Sequence, residues 1–265
     1  MNTPKIIKDR IIQYLGEGKR FDGRKANDYR EVIIERSVAK NADGSARVKI
    51  GNTEVLVGVK MTVGEPYPDS ADEGNLMVSA ELRPISSPRF ENGPPKFNSI
   101  EIGRVTDRVL RESHFIDLKK LCIKEGEKVW TLFVDVYAIN DDGNLFDAAG
   151  IGAVAALKDV KIPKYDEAEN KILWGEYTDE KLSLTKEIPL SLTMYKIGKH
   201  FIVDPTREEE DTIDARITIG GHDSTINSMQ KGESGSLTME EFYEALDFSE
   251  KIHKEVFKKL EKFLK

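Results

Sequence analysis

Lys128-Val-Trp-Thr-Leu-Phe-Val-Asp-Val-Tyr-Ala-Ile139 is a long β-rich run, and the segment after it decides the class of fold. The run ends in a turn, Asp141-Asp-Gly-Asn-Leu-Phe-Asp147. Then Ala148-Ala-Gly-Ile-Gly-Ala-Val-Ala-Ala-Leu157 is small and apolar throughout. β-Branched and aromatic side chains suit a pleated surface. A short alanine-rich apolar stretch suits a helix that packs closely against a sheet. It falls short of the ~20 residues a membrane span requires. Strand, turn and buried helix in succession predict a mixed α/β chain.

Upstream lies Asn98-Ser-Ile-Glu-Ile-Gly-Arg-Val-Thr-Asp-Arg-Val-Leu-Arg-Glu-Ser113, with Arg104, Arg108 and Arg111 at i, i+4 and i+7. On a helix this spacing gathers three guanidiniums on one face and leaves Ile102, Val105 and Val109 on the core side. A row of planar cations on a rigid helix suits a run of phosphates. The same residues also read as a solvated face on which Glu101, Asp107 and Glu112 neutralise the arginines. Residues 84–95, before this helix, form a loop rich in Pro, Ser and Gly. Strands are predicted over 31–37, 46–50, 53–63 and 75–82, with Gly51-Asn52 as a tight type II′ hairpin turn. Thr3 before Pro4 predicts a helix start. Ile6, Ile7, Ile11 and Leu15 continue that helix, and Gly16 and Gly18 end it.

Downstream, residues 163–186 are polar and predict a hairpin or long loop. Residues 191–197 and 200–203 form a second hairpin turning at Gly198-Lys199, and 215–220 and 225–230 read as two more strands. Thr238-Met-Glu-Glu241 is a capping box opening a last helix to about Leu264, with Phe242, Leu246, Ser249, Ile252, Val256, Leu260 and Phe263 as its inner stripe. The expected organisation is one compact domain over 1–265 with two similar halves, a helical extension at 1–19 and a C-terminal helix at 238–264.

The 265 residues are 39% hydrophobic and 33% charged, enough for a large core. A net charge of -7 excludes a generally basic nucleic-acid coat. It leaves a focused patch open, because phosphate contacts act within a Debye length of ~8–10 Å. The lone Cys122 excludes an internal disulfide and a cysteine metal cluster, and its apolar neighbours predict a buried structural thiol. His114, His200, His222 and His253 are scattered, so neither a metal nor a cofactor is expected. No Walker loop, dinucleotide fingerprint or Gly-x-Ser-x-Gly elbow occurs. Trp130, Phe133 and Tyr137 read as core or interface rather than base-stacking platforms. The N-terminus lacks a signal-peptide core and no apolar run reaches ~18–20 residues, so a soluble cytoplasmic protein is expected.

Several segments, taken in order, resemble the RNase PH family. Arg20-Phe-Asp-Gly-Arg24 is similar to that family's opening Arg-x-Asp-Gly-Arg motif, and Ala42-Asp-Gly-Ser-Ala46 with Gly51-Asn-Thr-Glu-Val55 to its first hairpin. The arginine helix, the strand-turn-helix of 135–157 and Val203-Asp-Pro-Thr-Arg-Glu-Glu-Glu210 follow in the family's order. Within the family, Glu91-Asn-Gly-Pro-Pro95, Ile100-Glu-Ile-Gly-Arg-Val-Thr-Asp-Arg108 and Val129-Trp-Thr-Leu-Phe-Val-Asp-Val-Tyr137 resemble the non-catalytic RNase PH-like subunit of the archaeal exosome. The resemblance implies an α/β (α+β) RNase PH fold, two βαβα-like halves of the ribosomal protein S5 domain 2-like type. It implies a hexameric ring of three heterodimers shared with a catalytic sister subunit. Such a ring phosphorolyses single-stranded RNA from its 3′ end, and cap RNA-binding proteins dock on it.

Active members of the family hold phosphate on a Gly-Thr/Ser-Arg turn at a helix start, where N–H groups and the helix dipole favour an anion. An ungapped comparison places that turn at Asn144, Leu145 and Phe146, so the hydroxyl has become leucine and the arginine phenylalanine. Asp147 adds a negative charge nearby. The family's carboxylates fall at Glu210 and Arg216, one lengthened and the other reversed in charge; a shifted register offers Asp211 or Asp214. Read without the family, Asp204, Glu208-Glu-Glu-Asp211 and Asp214 are a solvated turn or helix start. In the loop before the arginine helix, active members carry several arginines, whereas this chain has Arg83, Pro84, Ser86, Ser87, Pro88 and Arg89. The resemblance therefore implies no catalytic residue in this chain. It implies RNA contact by Arg104 and Arg108, with Arg111 next in the row, where Asp107 or Glu112 offers an ion pair instead. Changing Glu208 and Glu209 to glutamine is expected to matter far less. The reading is a non-catalytic RNA-binding ring subunit that helps build its partner's 3′–5′ phosphorolytic site. The alternatives are an autonomous phosphate-dependent exoribonuclease or tRNA 3′-end nucleotidyltransferase, and a ring scaffold without RNA contact.

Overall fold

A computed structural model of the chain describes residues 5–222 and 225–264. The helix cap expected at Thr3 and Pro4 lies outside the described residues. Among the described residues, twelve strands and four further α-helices fall into two sheets, a hairpin and flanking helices around one central helix, α3 (Leu145–Leu157), every residue of which is buried. Residues 145–147, expected in the turn, belong to this helix. Asn144 takes a left-handed conformation at φ 62°, and Leu145 and Phe146 then turn directly into the core.

On one side of α3 lies a six-stranded sheet built from β1 (Val32–Arg36), β2 (Gly44–Ile50), β3 (Thr53–Gly64), β4 (Asn75–Glu81), β5 (Cys122–Lys124) and β6 (Lys128–Asn140). Its order is β1-β2-β3-β6-β4, with β5 on the end of β6. On the other side lies an antiparallel sheet in the order β10-β9-β11-β12, formed by β9 (Leu190–Ile197), β10 (His200–Val203), β11 (Ala215–His222) and β12 (Thr225–Gly232). Two glycines let α3 approach both sheets. A Cβ at Gly152 would stand 2.7 Å from Cγ2 of Val57, and one at Gly150 would stand 2.1 Å from Oγ of Ser191. β3 alternates with its sequence, burying Val55, Val57, Val59 and Met61 against the helix. Ile50 pairs with Thr53 across the two-residue turn at Gly51, whose φ is 57°.

β4 and β6 run parallel, and α2 (Phe97–Glu112) lies in the crossover between them. This helix also covers the free edge of β4. Ser99 Oγ donates to Ala80 O at 2.8 Å, Arg111 Nη2 donates to Leu76 O at 2.9 Å, and Gly103 lies against the backbone of residues 78–80. Open strand edges invite unwanted pairing, and here helix side chains satisfy the edge carbonyls.

The main apolar cluster draws on both sheets, α2, α3 and the last helix, α5 (Met239–Leu264). A smaller cluster seats Ile11 and Leu15 of α1 (Lys5–Gly16) on Tyr195, Ile197 and Ile202. The inner stripe of α5 is shifted from expectation: Ala245, His253 and Leu264 are buried, whereas Phe242, Leu246 and Phe263 only flank the core. The hairpin expected within 163–186 forms as β7 (Lys161–Asp166) and β8 (Lys171–Lys181). β5 was not apparent from the sequence. Cys122 starts this short strand and is half-buried rather than buried, because only the end of β6 pairs with it. Trp130 is buried against Tyr165, but Tyr137 is 39% exposed on the outer face of the sheet. The four-residue α4 (Arg207–Glu210) opens with a capping box between Thr206 and Glu209.

If close approach sets the position of α3, Gly152→Ala should destabilise the chain. Alanine gains about 1 kcal/mol in helix propensity, but overpacking against Val57 costs about 1–3 kcal/mol. Urea unfolding should therefore show a net loss; a gain in stability would mean that the helix shifts freely.

Candidate functional site

Three elements meet at the candidate site: α2, the start of α3 and the segment through α4 into β11. α2 buries Ile102, Val105 and Val109 as its periodicity requires and turns its arginines outward. The three arginines differ in what holds them. Arg104 is exposed and makes no hydrogen bond or ion pair among the described residues. Arg108 is half-buried, and its Nη1 donates to Gln230 Oε1 at 3.0 Å, a neutral acceptor on β12. Arg111 is held by the Asp107 carboxylate at 2.7 Å and by Leu76 O, and the Asp107 hydrogen bond raises its pKa against the opposing effect of burial. Of the row of three read from the sequence, Arg111 thus belongs to the sheet edge.

Beside α2 lies a cleft of about 430 Å³ lined in part by Glu101, Asp141, Phe146, Arg207, Glu210 and Arg216. The structure therefore brings together the positions expected to be degenerate, and it shows what each now does. Arg216 is 4% exposed, pairs through Nη2 with Glu101 Oε2 at 2.5 Å, and stacks with its Cζ 3.9 Å from the centre of the Phe146 ring. Gly232 leaves room for the guanidinium: a Cβ there would stand 2.4 Å from Arg216 Cζ. Leu145 lies beside this stack, 6% exposed. Glu210 accepts from the backbone N–H of Asn144 at 3.1 Å and pairs with Arg207 at 3.1 Å. Burial pushes the Glu210 carboxyl upward, partly offset by Arg207. The amide at the start of α3 is thus already occupied by an anion from within the chain.

Of the two alternative carboxylates, Asp211 pairs with Arg89 and Arg207. Burial raises its pKa, but the two arginines together hold it below the ordinary carboxylate value. Asp214 pairs with Lys8 at 2.5 Å and accepts from Gly198 N at 2.7 Å, outside the cleft lining. Asp147, expected to repel an anion near Phe146, is fully buried and faces elsewhere. It accepts from Tyr29 Oη at 2.6 Å and Thr193 Oγ1 at 2.8 Å. Burial pushes its pKa to about 7, against the lowering effect of those hydrogen bonds.

A second cluster of buried charge was missed in the sequence. Asp204 is fully buried at φ 45° and accepts from Arg24 Nη1, Asn144 Nδ2, and the backbone N, Nε and Nη2 of Arg30. Arg20, 2% exposed, forms a double hydrogen bond with Glu209 at 2.8 and 2.5 Å and donates to the carbonyls of Val203 and Asp204. Glu209 is therefore not the solvated residue expected; of the acidic run, Glu208 is the exposed one. The available signal was Thr206-Arg-Glu-Glu209, a capping-box spacing that returns the glutamate toward the chain.

Comparison with known proteins places this geometry. Residues 28–163 match domain 1 and residues 187–252 match domain 2 of the 3′ exoribonuclease family, RNase PH. The chain is 43% identical over 247 residues to the exosome complex component Rrp42 of Methanothermobacter thermautotrophicus, covering 93% of this chain and 91% of that one. It is 45% identical over 262 residues to the Rrp42 component of Thermococcus kodakarensis, covering 96% and 94%. Among solved structures, a chain of the Archaeoglobus fulgidus exosome with RNA bound to the active site superposes with a TM-score of 0.88 at 43% identity, covering 97% of this chain and 98% of that one. A chain of an archaeal exosome core gives 0.84 at 40% identity, covering 97% of each.

Two measurements check the buried charges. Glu209→Gln should destabilise the chain by about 3–5 kcal/mol, because it leaves the buried Arg20 uncompensated. Glu208→Gln, at an exposed position, should stay within about 0.5 kcal/mol. Equal effects on chemical unfolding would place the Arg20 pair in solvent. Asp147 carries a pH signature. Its pKa is raised on folding, so its favourable contribution is complete below about pH 4 and is lost as pH rises toward 7, by up to about 4 kcal/mol. Asp147→Asn should flatten the decline of stability between pH 4 and 7; parallel wild-type and variant curves would contradict this.

Proposed function

The chain belongs to the 3′ exoribonuclease family of RNase PH type, and on that footing we propose that it is a non-catalytic, RNA-binding subunit of an archaeal exosome ring. In this reading it alternates with a catalytic sister subunit, helps build that subunit's phosphorolytic site and lends arginines to the RNA path. Cap RNA-binding proteins dock on the same ring, in the cytoplasm. The main apolar core runs through both halves, which supports treating the chain as one domain.

The observation that carries the non-catalytic reading is the internal neutralisation of the cleft. Phosphorolysis must hold an inorganic phosphate beside an RNA phosphate, and that requires cations whose charge is not already matched by carboxylates. Here Arg216 is paired with Glu101, Arg207 with Asp141, Glu210 and Asp211, and Arg89 with Asp211. Glu210 already occupies the Asn144 amide. A second anion would meet fixed carboxylates and cations that have no free charge to offer. RNA contact falls instead to Arg104, which is exposed and unpaired among the described residues, and to Arg108, whose described partners are neutral. Arg111 serves the fold.

The test uses the mixed ring with a single-stranded oligoribonucleotide. Arg104→Glu with Arg108→Glu should weaken binding by at least ~10-fold at low salt, since a charge-assisted hydrogen bond contributes about 1.5–3 kcal/mol. The loss should be similar for different sequences, because phosphate contacts carry no base information. The slope of log affinity on log salt should fall by about 0.7 per lost contact. Assembly should persist, because neither side chain lies on the apolar face. Equal affinities of wild-type and double-variant rings would favour a scaffold without RNA contact.

A further inference from the structure

Arg104 is flanked on α2 by two carboxylates, Glu101 at i−3 and Asp107 at i+3. Residues three apart are neighbours on a helix face, and opposite charges so placed attract. Left to the helix alone, either carboxylate would close on Arg104 and cancel the cation that a phosphate must find. The structure shows neither doing so. Glu101 is drawn inward by Arg216 at 2.5 Å, with both side chains largely buried at 11% and 4% exposure. Asp107 is drawn along the helix by Arg111 at 2.7 Å. The i±4 neighbours of Arg104 are Ile100 and Arg108, which bring no negative charge.

We infer that Arg216 and Arg111 are positioning residues that keep Arg104 available to RNA by taking up the two carboxylates beside it. Each is fixed for this task. Arg216 lies between the Phe146 ring at 3.9 Å and the backbone of Gly232, too buried to reach RNA itself. Arg111 is anchored to Leu76 O on the sheet edge. The arginine at 216 therefore has a positive role: its strand-borne charge disposes of a helix-borne one. The inference rests on the proposed role of Arg104 in RNA binding.

The test is a pair of rescue cycles in the mixed ring, read with a labelled single-stranded oligoribonucleotide and with phosphorolysis. Arg216→Gln releases Glu101. RNA affinity should fall about two- to fivefold at low salt and the salt slope by up to about 0.7, with KM for RNA raised and kcat unchanged. Adding Glu101→Gln should restore affinity and slope, because the released carboxylate is gone. A merely structural role for the Arg216–Glu101 pair predicts no such restoration. The second cycle, Arg111→Gln with and without Asp107→Asn, repeats the comparison at a more exposed pair, where side chains are 40% and 28% accessible. It decides the matter if Arg216→Gln fails to fold. Loss without rescue in the cycle that can be measured overturns the inference. If Arg104→Gln itself leaves RNA affinity unchanged, the proposed RNA role falls first, and the two failures are thereby distinguished.

Discussion

The carboxylate of Asp204 is the constraint on which the arrangement of the halves depends. It is fully buried, yet it accepts from Arg24, from three donors of Arg30 and from the side chain of Asn144. Burying an isolated charge is costly, and here five well-placed donors, four of them from two arginines, offset that cost. The donors come from the segment leading into the first sheet and from the residue that starts α3. The acceptor comes from the second half. One interaction therefore fixes the entry of the chain, the start of the central helix and the turn that carries α4. Arg20 and Glu209 extend the same cross-link, so that the Arg20–Arg24 motif acts as a clamp on 203–209 rather than as a ligand site.

The cleft beside α2 follows from that clamp. Holding Asn144 left-handed points its backbone N–H at Glu210, and the run through α4 delivers Arg207 and Arg216 to the same place. An electropositive hollow there would suit an anion. This chain lines it with paired charges and an aromatic ring instead, each charged side chain tied to an opposite one. Arg216 on Phe146 and Glu101 makes the cleft a brace between the second sheet and the arginine helix. Pairing of the cleft's charges and anchoring of α2 are two consequences of the same side chains.

Much of this was legible in the sequence. The alanine-rich stretch announced a helix against a sheet, and the phase of Ile102, Val105 and Val109 correctly turned Arg104 outward. What stayed hidden was non-local. Arg20 and Asp204 are 184 residues apart, and nothing in either motif states that they touch. Phe146 read as a lost arginine and Arg216 as a separate carboxylate position reversed in charge; only proximity shows them as one stacked pair. Glu209 looked solvated because acidic runs usually are, yet its neighbour Glu208 alone takes that role. Arg111 fitted the helical row by spacing, but a sheet edge that spacing cannot reveal had first claim on it. Asp147 followed a phosphate-site turn in sequence, but the helix rotation buried it among Tyr29 and Thr193.

In the proposed role, this chain shapes and feeds a site whose chemistry lies in a sister subunit. The most direct measurement is release of nucleoside diphosphates from single-stranded RNA in phosphate and magnesium by three preparations: this chain alone, a catalytic RNase PH-like sister alone, and the two mixed. The proposed role predicts no product from this chain alone and the highest rate from the mixture. Robust phosphorolysis by the pure chain would contradict it, because a cleft lined by Glu210, Phe146 and the paired Arg216 would then be binding phosphate after all.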